Sequence, residues 1–535
     1  MSKNRKLNVF LPFLFALVLA LGMFIGYRMP TVRNSSSKIF FVPNKRDALQ
    51  EVVDLLKYKY VDSVHLGDLQ EDAINALLKH LDPHSIYIPA EQLARINEDL
   101  NSNFEGIGIE YSMFNDTLNV VNVLQGGPSE EAGLQMGDKI IRVNDSLIAG
   151  VNISDNKIKY YLRGPQGSSA KLSLLRDHQE KTIQVKRGII PLYSINAHYM
   201  VGPGIGYIKI DRFSESTVDE FMAALRELTR AGMEKLIIDV RQNPGGLLDA
   251  AFRISDQLLD GSKVVVYTEG VHSPKKEYKT NQPGLFEKGA LVIMTDESSA
   301  SASEVLAGAV QDWDRGTIIG RRTFGKGLVQ DQYNLSDGGA LRLTIARYYL
   351  PSGRSIQKSY KDGREAYGED LENRYIHGEL LNKDSIQIYD TVEYKTEKGR
   401  TVYGGGGIIP DVFVPYDTAH YSTLQLQIYQ QNLYSEFAYE YYLAHKADFA
   451  GYKDIKDFIQ EFTITPAILQ SFYSYVQKAS INPTRHSVKD DEDISLRLKA
   501  LLARKRWDLN GYYEVMNQDD PMVETAVKKI QEMAE

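Results

Sequence analysis

Residues 291–304 read Leu-Val-Ile-Met-Thr-Asp-Glu-Ser-Ser-Ala-Ser-Ala-Ser-Glu. Leu291 to Met294 is a continuous apolar run, the pattern of a strand buried on both faces. From Ser301 to Gln311 the pattern becomes helical. A buried strand that feeds a helix through a short turn is the building unit of an α/β core. The turn is made of small residues, which let a side-chain hydroxyl stand clear of the backbone. The helix N-terminus adds free N–H groups and a positive dipole. Two readings fit: a helix N-cap of small polar residues, or a serine nucleophile beside an oxyanion site.

The same alternation continues outward. Upstream, Ile205 to Ile210 reads as a strand. Thr217 to Arg230 reads as a helix with Ser216 or Thr217 at its N-cap and Glu220 placed for a capping box. Leu236 to Val240 is a second doubly buried strand, Leu247 to Leu259 is helical, and Val264 to Tyr267 is a further buried strand. Downstream, Gly327 to Leu335 and Leu341 to Tyr348 are β-like. This α/β or mixed α+β core closes near Pro415.

Three regions flank it. Residues 47–98 have helical apolar spacing, interrupted where Asp82-Pro83-His84-Ser85 stops a helix. Phe104 to Arg187 is a run of short alternating β segments punctuated by glycine, a small mainly-β module. Residues 416–535 are helical in pattern and carry Leu424, Ile428, Leu433, Phe437 and Tyr441, with Pro466, Pro483 and Pro521 as punctuation.

Composition bounds the chemistry. The 535 residues contain 62 Lys and Arg against 70 Asp and Glu, a net charge of −8, so the basic surplus of a dedicated nucleic-acid binder is missing. Cysteine is absent, which excludes disulfides, thiolate zinc sites and a thiol nucleophile. Tyrosine is frequent, at 33 residues. At the N-terminus Lys3, Arg5 and Lys6 precede the apolar run Val9 to Ile25. That order marks an export signal, read as an uncleaved anchor over 1–28 with cleavage near Gly26 as the alternative. Residues 29–46 read as a tether, and the rest of the chain is expected outside the cytoplasm.

A serine nucleophile needs a base, and no histidine lies between His272 and His377. Phe324-Gly325-Lys326-Gly327 offers another. Lys326 stands between glycines before an apolar strand, where desolvation lowers a lysine pKa and frees a neutral amine. An exposed turn lysine is the other reading of this segment.

Together, Ser299-Ala300-Ser301-Ala302-Ser303-Glu304, Phe324-Gly325-Lys326-Gly327 and Asn243-Pro244-Gly245-Gly246 resemble the motifs of the C-terminal processing peptidases, or tail-specific proteases. These are Ser–Lys endopeptidases that carry a PDZ domain. The resemblance runs from about Asp47 to Pro415. It implies an α/β (mixed α+β) protease core at 191–415 with an inserted mainly-β PDZ domain at 99–190, a helical N-terminal region and a helical C-terminal extension. It makes Ser301 the nucleophile, Lys326 the general base and Gln330 the residue that orients the lysine. In a fully extended strand Gln330 would lie about 13 Å from Lys326, so the glycine-flanked turn has to bend the chain. An oxyanion hole is implied from Ala302 and a glycine of the Asn243–Gly246 turn, Gly246 ahead of Gly245. Gly106-Ile107-Gly108-Ile109 matches a carboxylate-binding loop for a peptide C-terminus, and Arg163 a position coupling PDZ and protease. Asp312 also matches a family position. About 16 Å along the helix from Ser301, it reads as structural.

The resulting expectation is an exported, membrane-tethered serine endopeptidase of the cell envelope that binds free protein C-termini and uses no metal or cofactor. Homo-oligomerisation is one reading of the tyrosine-rich extension, and packing on the chain's own core the other. The rival function is a non-catalytic PDZ scaffold with a degenerate protease fold. A third reading is an enzyme held inactive until its PDZ domain is occupied.

Overall fold

The computed structural model describes residues 15–23, 48–418, 422–483 and 486–533. Met1–Asp72 and Ala73–Glu535 form two units. In the first, Phe15 to Met23 is helical, and helix Ala48–Lys59 buries none of its side chains. The rest of the Val9–Ile25 run and the tether at 29–46 lie outside the described residues. Among the described residues no helix is long and apolar enough to cross a membrane.

The second unit is organised by a six-stranded sheet. Its order is Ile195–Gly202, Ile205–Ile210, Lys235–Asp239, Leu291–Thr295, Thr317–Gly320 and Val412–Phe413. The first pair is antiparallel and the remaining pairs are parallel. Ile205–Ile210 and Leu291–Thr295 are buried throughout, as their unbroken apolar runs require. Phe221, Leu225, Ile254, Val305 and Leu306 of three helices pack with Ile208, Ile238 and Ile293 on one face. The other face takes Met522, Val523, Ala526 and Ile530 against Tyr207, Ile237, Val292 and Ile319. These four residues belong to the last helix, Pro521–Glu532. Burying each larger apolar side chain stabilises by roughly 1.5–3 kcal/mol, so the end of the helical extension is part of the core's second layer.

Glu220 departs from the capping-box expectation. Its carboxylate accepts from the Ser216 hydroxyl and from the N–H groups of Ser194 (2.7 Å) and Ile195 (2.9 Å). It therefore ties its helix to the edge strand of the sheet.

A second sheet joins Ile86–Ile88, Ala340–Tyr349, Val264–Gly270 and Ser273–Lys279, with Leu328–Asn334 also paired to Ala340–Tyr349. Thus the N-terminal region is not purely helical. After the Asp82–Ser85 turn it contributes a strand, Ile86–Ile88, set opposite Ala340–Arg342.

The PDZ fold is a six-stranded antiparallel sheet running from Ile109–Phe114 to Gln179–Lys186, with helix Asp155–Leu162. Chain entry and exit pair as a two-stranded ribbon, Asn103–Gly106 with Gly188–Pro191. Tyr434, Tyr439, Tyr442 and Tyr473 of the extension are all buried within the chain, which locates part of the tyrosine excess.

Candidate active site

The strand Leu291–Thr295 delivers the chain to a turn at the head of helix Ala302–Asp312, and Ser301 is the N-cap. Its backbone has φ 54° and ψ −112°, a conformation that costs a non-glycine residue energy and persists only when its surroundings impose it. The imposing contacts are local. Asn243 O accepts from Ala300 N–H (3.0 Å) and from the Ser303 hydroxyl (3.0 Å). The Ser299 hydroxyl donates to Val240 O at 2.8 Å. The three serines therefore separate. Ser299 and Ser303 are fully buried and bonded to main-chain carbonyls, while Ser301 lines a cleft of about 580 Å³.

Glu304, fully buried three residues into the helix, joins the turn to the lysine loop. Its carboxylate accepts from the N–H groups of Ser301 (2.8 Å), Gly325 (2.7 Å) and Lys326 (2.8 Å), and from the Thr323 hydroxyl (2.5 Å). Burial pushes its pKa up, against the pull of these donors. The Tyr348 hydroxyl adds a second link, donating to the Lys326 carbonyl with the Ser301 carbonyl 3.2 Å away.

Lys326 lines the same cleft as Ser301, Gly245, Gly246 and Gln330. Desolvation holds its amine below the ordinary lysine value of 10.5, and the Arg342 charge acts in the same direction. Glu304 and Asp82 oppose them. Among the described residues lining the cleft none is a histidine. His84 does fold back toward Lys326 and feels its charge, but its Nε2 lies 2.8 Å from the Tyr367 hydroxyl. Burial first, and Lys326 next, hold it neutral with a pKa of about 4.

The glycine turn sits directly against the Ser301 turn. A Cβ on Gly245 would meet Ala300 O at 2.6 Å, Ser301 Cβ at 2.7 Å and Ala302 N at 2.9 Å. Gly245 has φ +97°, so only glycine combines that conformation with that approach. Its N–H donates to Asn243 Oδ1 at 2.9 Å.

Gln330 reaches the cleft because Leu328–Asn334 has a register shift between Val329 and Gln330. Such a bulge re-aims a side chain, and both Gln330 and Lys326 line the cleft. Gln330 Nε2 donates to Thr344 Oγ1 at 3.2 Å. Asp312 is at the far end of helix Ala302–Asp312, facing the Arg354 guanidinium at 2.8 Å with both side chains 1% exposed. It also accepts from Ser352 N–H.

In the PDZ fold, Gly106-Ile107-Gly108-Ile109 forms the loop entering the sheet's edge strand, with Gly108 at φ +76°. Arg163 follows helix Asp155–Leu162, lies 4.5 Å above the Phe104 ring and pairs with Glu98 of helix Ala90–Asn101. It thus bridges the inserted domain and the element before it. The sequence reading passed over Glu304 as a joint, Tyr348, and the contacts of Asp82. Only the three-residue spacing from Ser301 to Glu304 was visible in the sequence.

A strained serine at the head of a buried helix, a desolvated lysine and a close glycine turn define a serine-type peptidase core, here with an inserted PDZ domain. Comparison with known proteins agrees. Residues 204–365 match peptidase family S41, 106–186 match the PDZ domain, and 425–508 match a family of unknown function, DUF8443. The chain is 35% identical over 313 residues to a carboxy-terminal-processing protease of Bartonella bacilliformis, covering 57% of this chain and 71% of that protein. It is 34% identical over 319 residues to the carboxy-terminal processing protease CtpB of Bacillus subtilis, covering 58% and 65%. A solved photosystem II D1 C-terminal processing protease aligns at 26% identity and a TM-score of 0.36, covering 70% of this chain and 88% of that one. The chain belongs to the carboxy-terminal processing protease family.

Proposed function

We propose that this peptidase is an exported endopeptidase that captures protein C-termini through its PDZ domain and cleaves near the tail with a Ser301–Lys326 dyad. The carrying observation is that Ser301, Lys326 and the Gly245–Gly246 turn line one cleft. Lys326 in its neutral form takes the Ser301 proton as Oγ attacks the scissile carbonyl. It then gives that proton to the leaving amine, and finally takes one from the water that resolves the acyl-enzyme. The tetrahedral oxygen is held by main-chain N–H groups. Gly245 N–H is engaged by Asn243, which favours Gly246 together with Ala302.

Substrate presentation follows from the sheet edge. The strand Ile109–Phe114 is terminal in its sheet, so a peptide can add beside it with its carboxylate at the Gly106–Ile109 loop. Arg163 couples the two domains through Glu98. Export and tethering rest on the basic N-terminus and the Val9–Ile25 run.

The test is turnover of an unfolded protein with an apolar C-terminus. Ser301→Ala and Lys326→Ala should each lose about a thousandfold or more in kcat. Wild-type turnover in either variant removes that residue from the dyad.

A further inference from the structure

Asp82-Pro83-His84-Ser85 stops a helix in the sequence, and the peptidase chemistry above makes no use of it. In the structure this turn stands behind the cleft. Asp82 is 8% exposed. Its Oδ1 accepts from His84 N–H (2.9 Å), Ser85 N–H (3.1 Å) and the Thr344 hydroxyl (2.8 Å). Its Oδ2 accepts from the Ser85 hydroxyl at 2.6 Å, and that same hydroxyl accepts from Thr344 N–H at 3.1 Å. Thr344 stands opposite Gln330 in the strand pair, and its Oγ1 is the atom that Gln330 Nε2 reaches.

The direction of these bonds is fixed by chemistry. An ionised carboxylate is acceptor-only, and a hydroxyl has one proton. Bonded to Asp82, Thr344 has spent that proton and can only accept on its other side. Gln330 must therefore turn its NH₂ end to Thr344, which leaves its Oε1 for a donor in the cleft. The lysine amine is the donor that such an oxygen would orient. Holding one N–H there aims the nitrogen lone pair elsewhere, toward the hydroxyl it deprotonates.

We propose that Asp82 and Thr344 are positioning residues that set the polarity of the Gln330 amide, so that its oxygen faces Lys326. This rests on the Ser301–Lys326 reading of the cleft. It gives the N-terminal segment, which precedes the PDZ insertion in sequence, a role in orienting the general base. The arrangement is fastened from outside by Arg364, whose Nη2 lies within hydrogen-bond reach of the carbonyls of Leu78 (2.7 Å), Asp82 (3.0 Å) and Ser85 (2.9 Å), which share its two protons.

The test uses the full chain with a peptide substrate, separating kcat from KM, with thermal unfolding recorded for each variant. Thr344→Val removes the hydroxyl without changing charge. Its kcat should fall at least about tenfold with KM held. Thr344→Ser keeps the hydroxyl and should restore most of the turnover. In a Gln330→Ala background, which should itself retain only residual activity, Thr344→Val should cause no further loss, because the group it orients is gone. Asp82→Asn replaces the acceptor by an amide that can donate, and should lower the kcat plateau. It should also move the acid limb to lower pH. The ionisable groups facing Lys326 are Glu304 on the nucleophile helix, Arg342 and Tyr348 on the facing strand, and Asp82 and His84 on this turn. Removing one of the two carboxylates lowers the amine's pKa further.

Three results overturn the proposal: wild-type kcat in Thr344→Val, an equal loss in Thr344→Ser, or full additivity with Gln330→Ala. An inactive Ser301→Ala alongside an active Thr344→Val sinks this inference alone. An active Ser301→Ala sinks the dyad beneath it.

Discussion

The nucleophile turn and the contact between the PDZ sheet and the helical extension are held by opposite means. At the nucleophile turn one fully buried carboxylate, Glu304, collects four donors from two separate loops. At the PDZ contact the polar links are Arg504 to Glu110 and Asn122 to Asp508, both at 3.1 Å and both at exposed positions. Beneath them lies a small apolar cluster, Phe114, Val121 and Tyr439. Buried charge-assisted bonds fix geometry because their loss leaves unpaired groups in a low dielectric. Exposed pairs exchange with water at little cost. The Ser301 turn is therefore held rigidly, and the PDZ sheet is attached to the extension by contacts that can yield.

The sharpest break in that comparison is Glu304→Ala. It strands the N–H groups of Ser301, Gly325 and Lys326, which should cost roughly 3–5 kcal/mol of stability. It should also abolish turnover, since the two halves of the proposed dyad lose their common joint. Denaturant unfolding and peptide turnover check both. Full activity in a folded variant would show that Tyr348 and the Asn243 and Ser299 contacts hold the turn without it.

Tyr439→Ala comes next. The ring is 2% exposed and lies 5.4 Å from Phe114, so its removal should cost roughly 2–4 kcal/mol. The expected split is a lower unfolding midpoint with kcat on a short peptide unchanged. A loss of kcat as large as that of Glu304→Ala would erase the distinction between the regions.

The pH dependence tests the rigid end alone. The proposed base works as a neutral amine, so kcat should rise about tenfold per pH unit on the acid side and level off above the Lys326 pKa. That pKa lies below 10.5 because the amine is desolvated and faces Arg342. Protonated below its pKa, the amine cannot accept the serine proton, which fixes the sign. An Arg342→Gln variant should move the limb to higher pH, and an unmoved limb would assign it to another group.

How much of this was legible in the sequence follows the range of the contacts. The strand–turn–helix at 291–311 is local, and its apolar run and small residues state it directly. The Asn243–Gly246 turn and the Gly325–Gly327 bend are equally local. What no periodicity carries is a contact such as Thr344 with Asp82, 262 residues apart. Asp82 reads as a helix stop because its backbone neighbours are all a local reading can see. The setting of Gln330 was hidden for a related reason: a bulge between Val329 and Gln330 is a feature of strand pairing, and a lone strand does not show it. The extension was read correctly as helical, but its uniform pattern does not say where each helix packs. Only the central sheet reveals that its last helix belongs to the core while its middle helices meet the PDZ domain.

The smallest expected effect sharpens the comparison most finely. Arg504 and Glu110 are 37% and 53% exposed at their side chains, so Arg504→Ala should change stability by no more than about 1 kcal/mol. Its use as a probe lies in what it leaves intact. The neighbouring Lys505, with a pKa lowered to about 8 by burial and by the Arg504 charge, lies 5.8 Å from the centre of the Tyr439 ring. Removing Arg504 relieves Lys505 of a like charge, and that relief offsets part of the lost pair. The net effect should therefore sit near zero and shrink further in high salt. A destabilisation of several kcal/mol would mean that the PDZ contact is fastened as firmly as the nucleophile turn, and that recognition and chemistry move as one body.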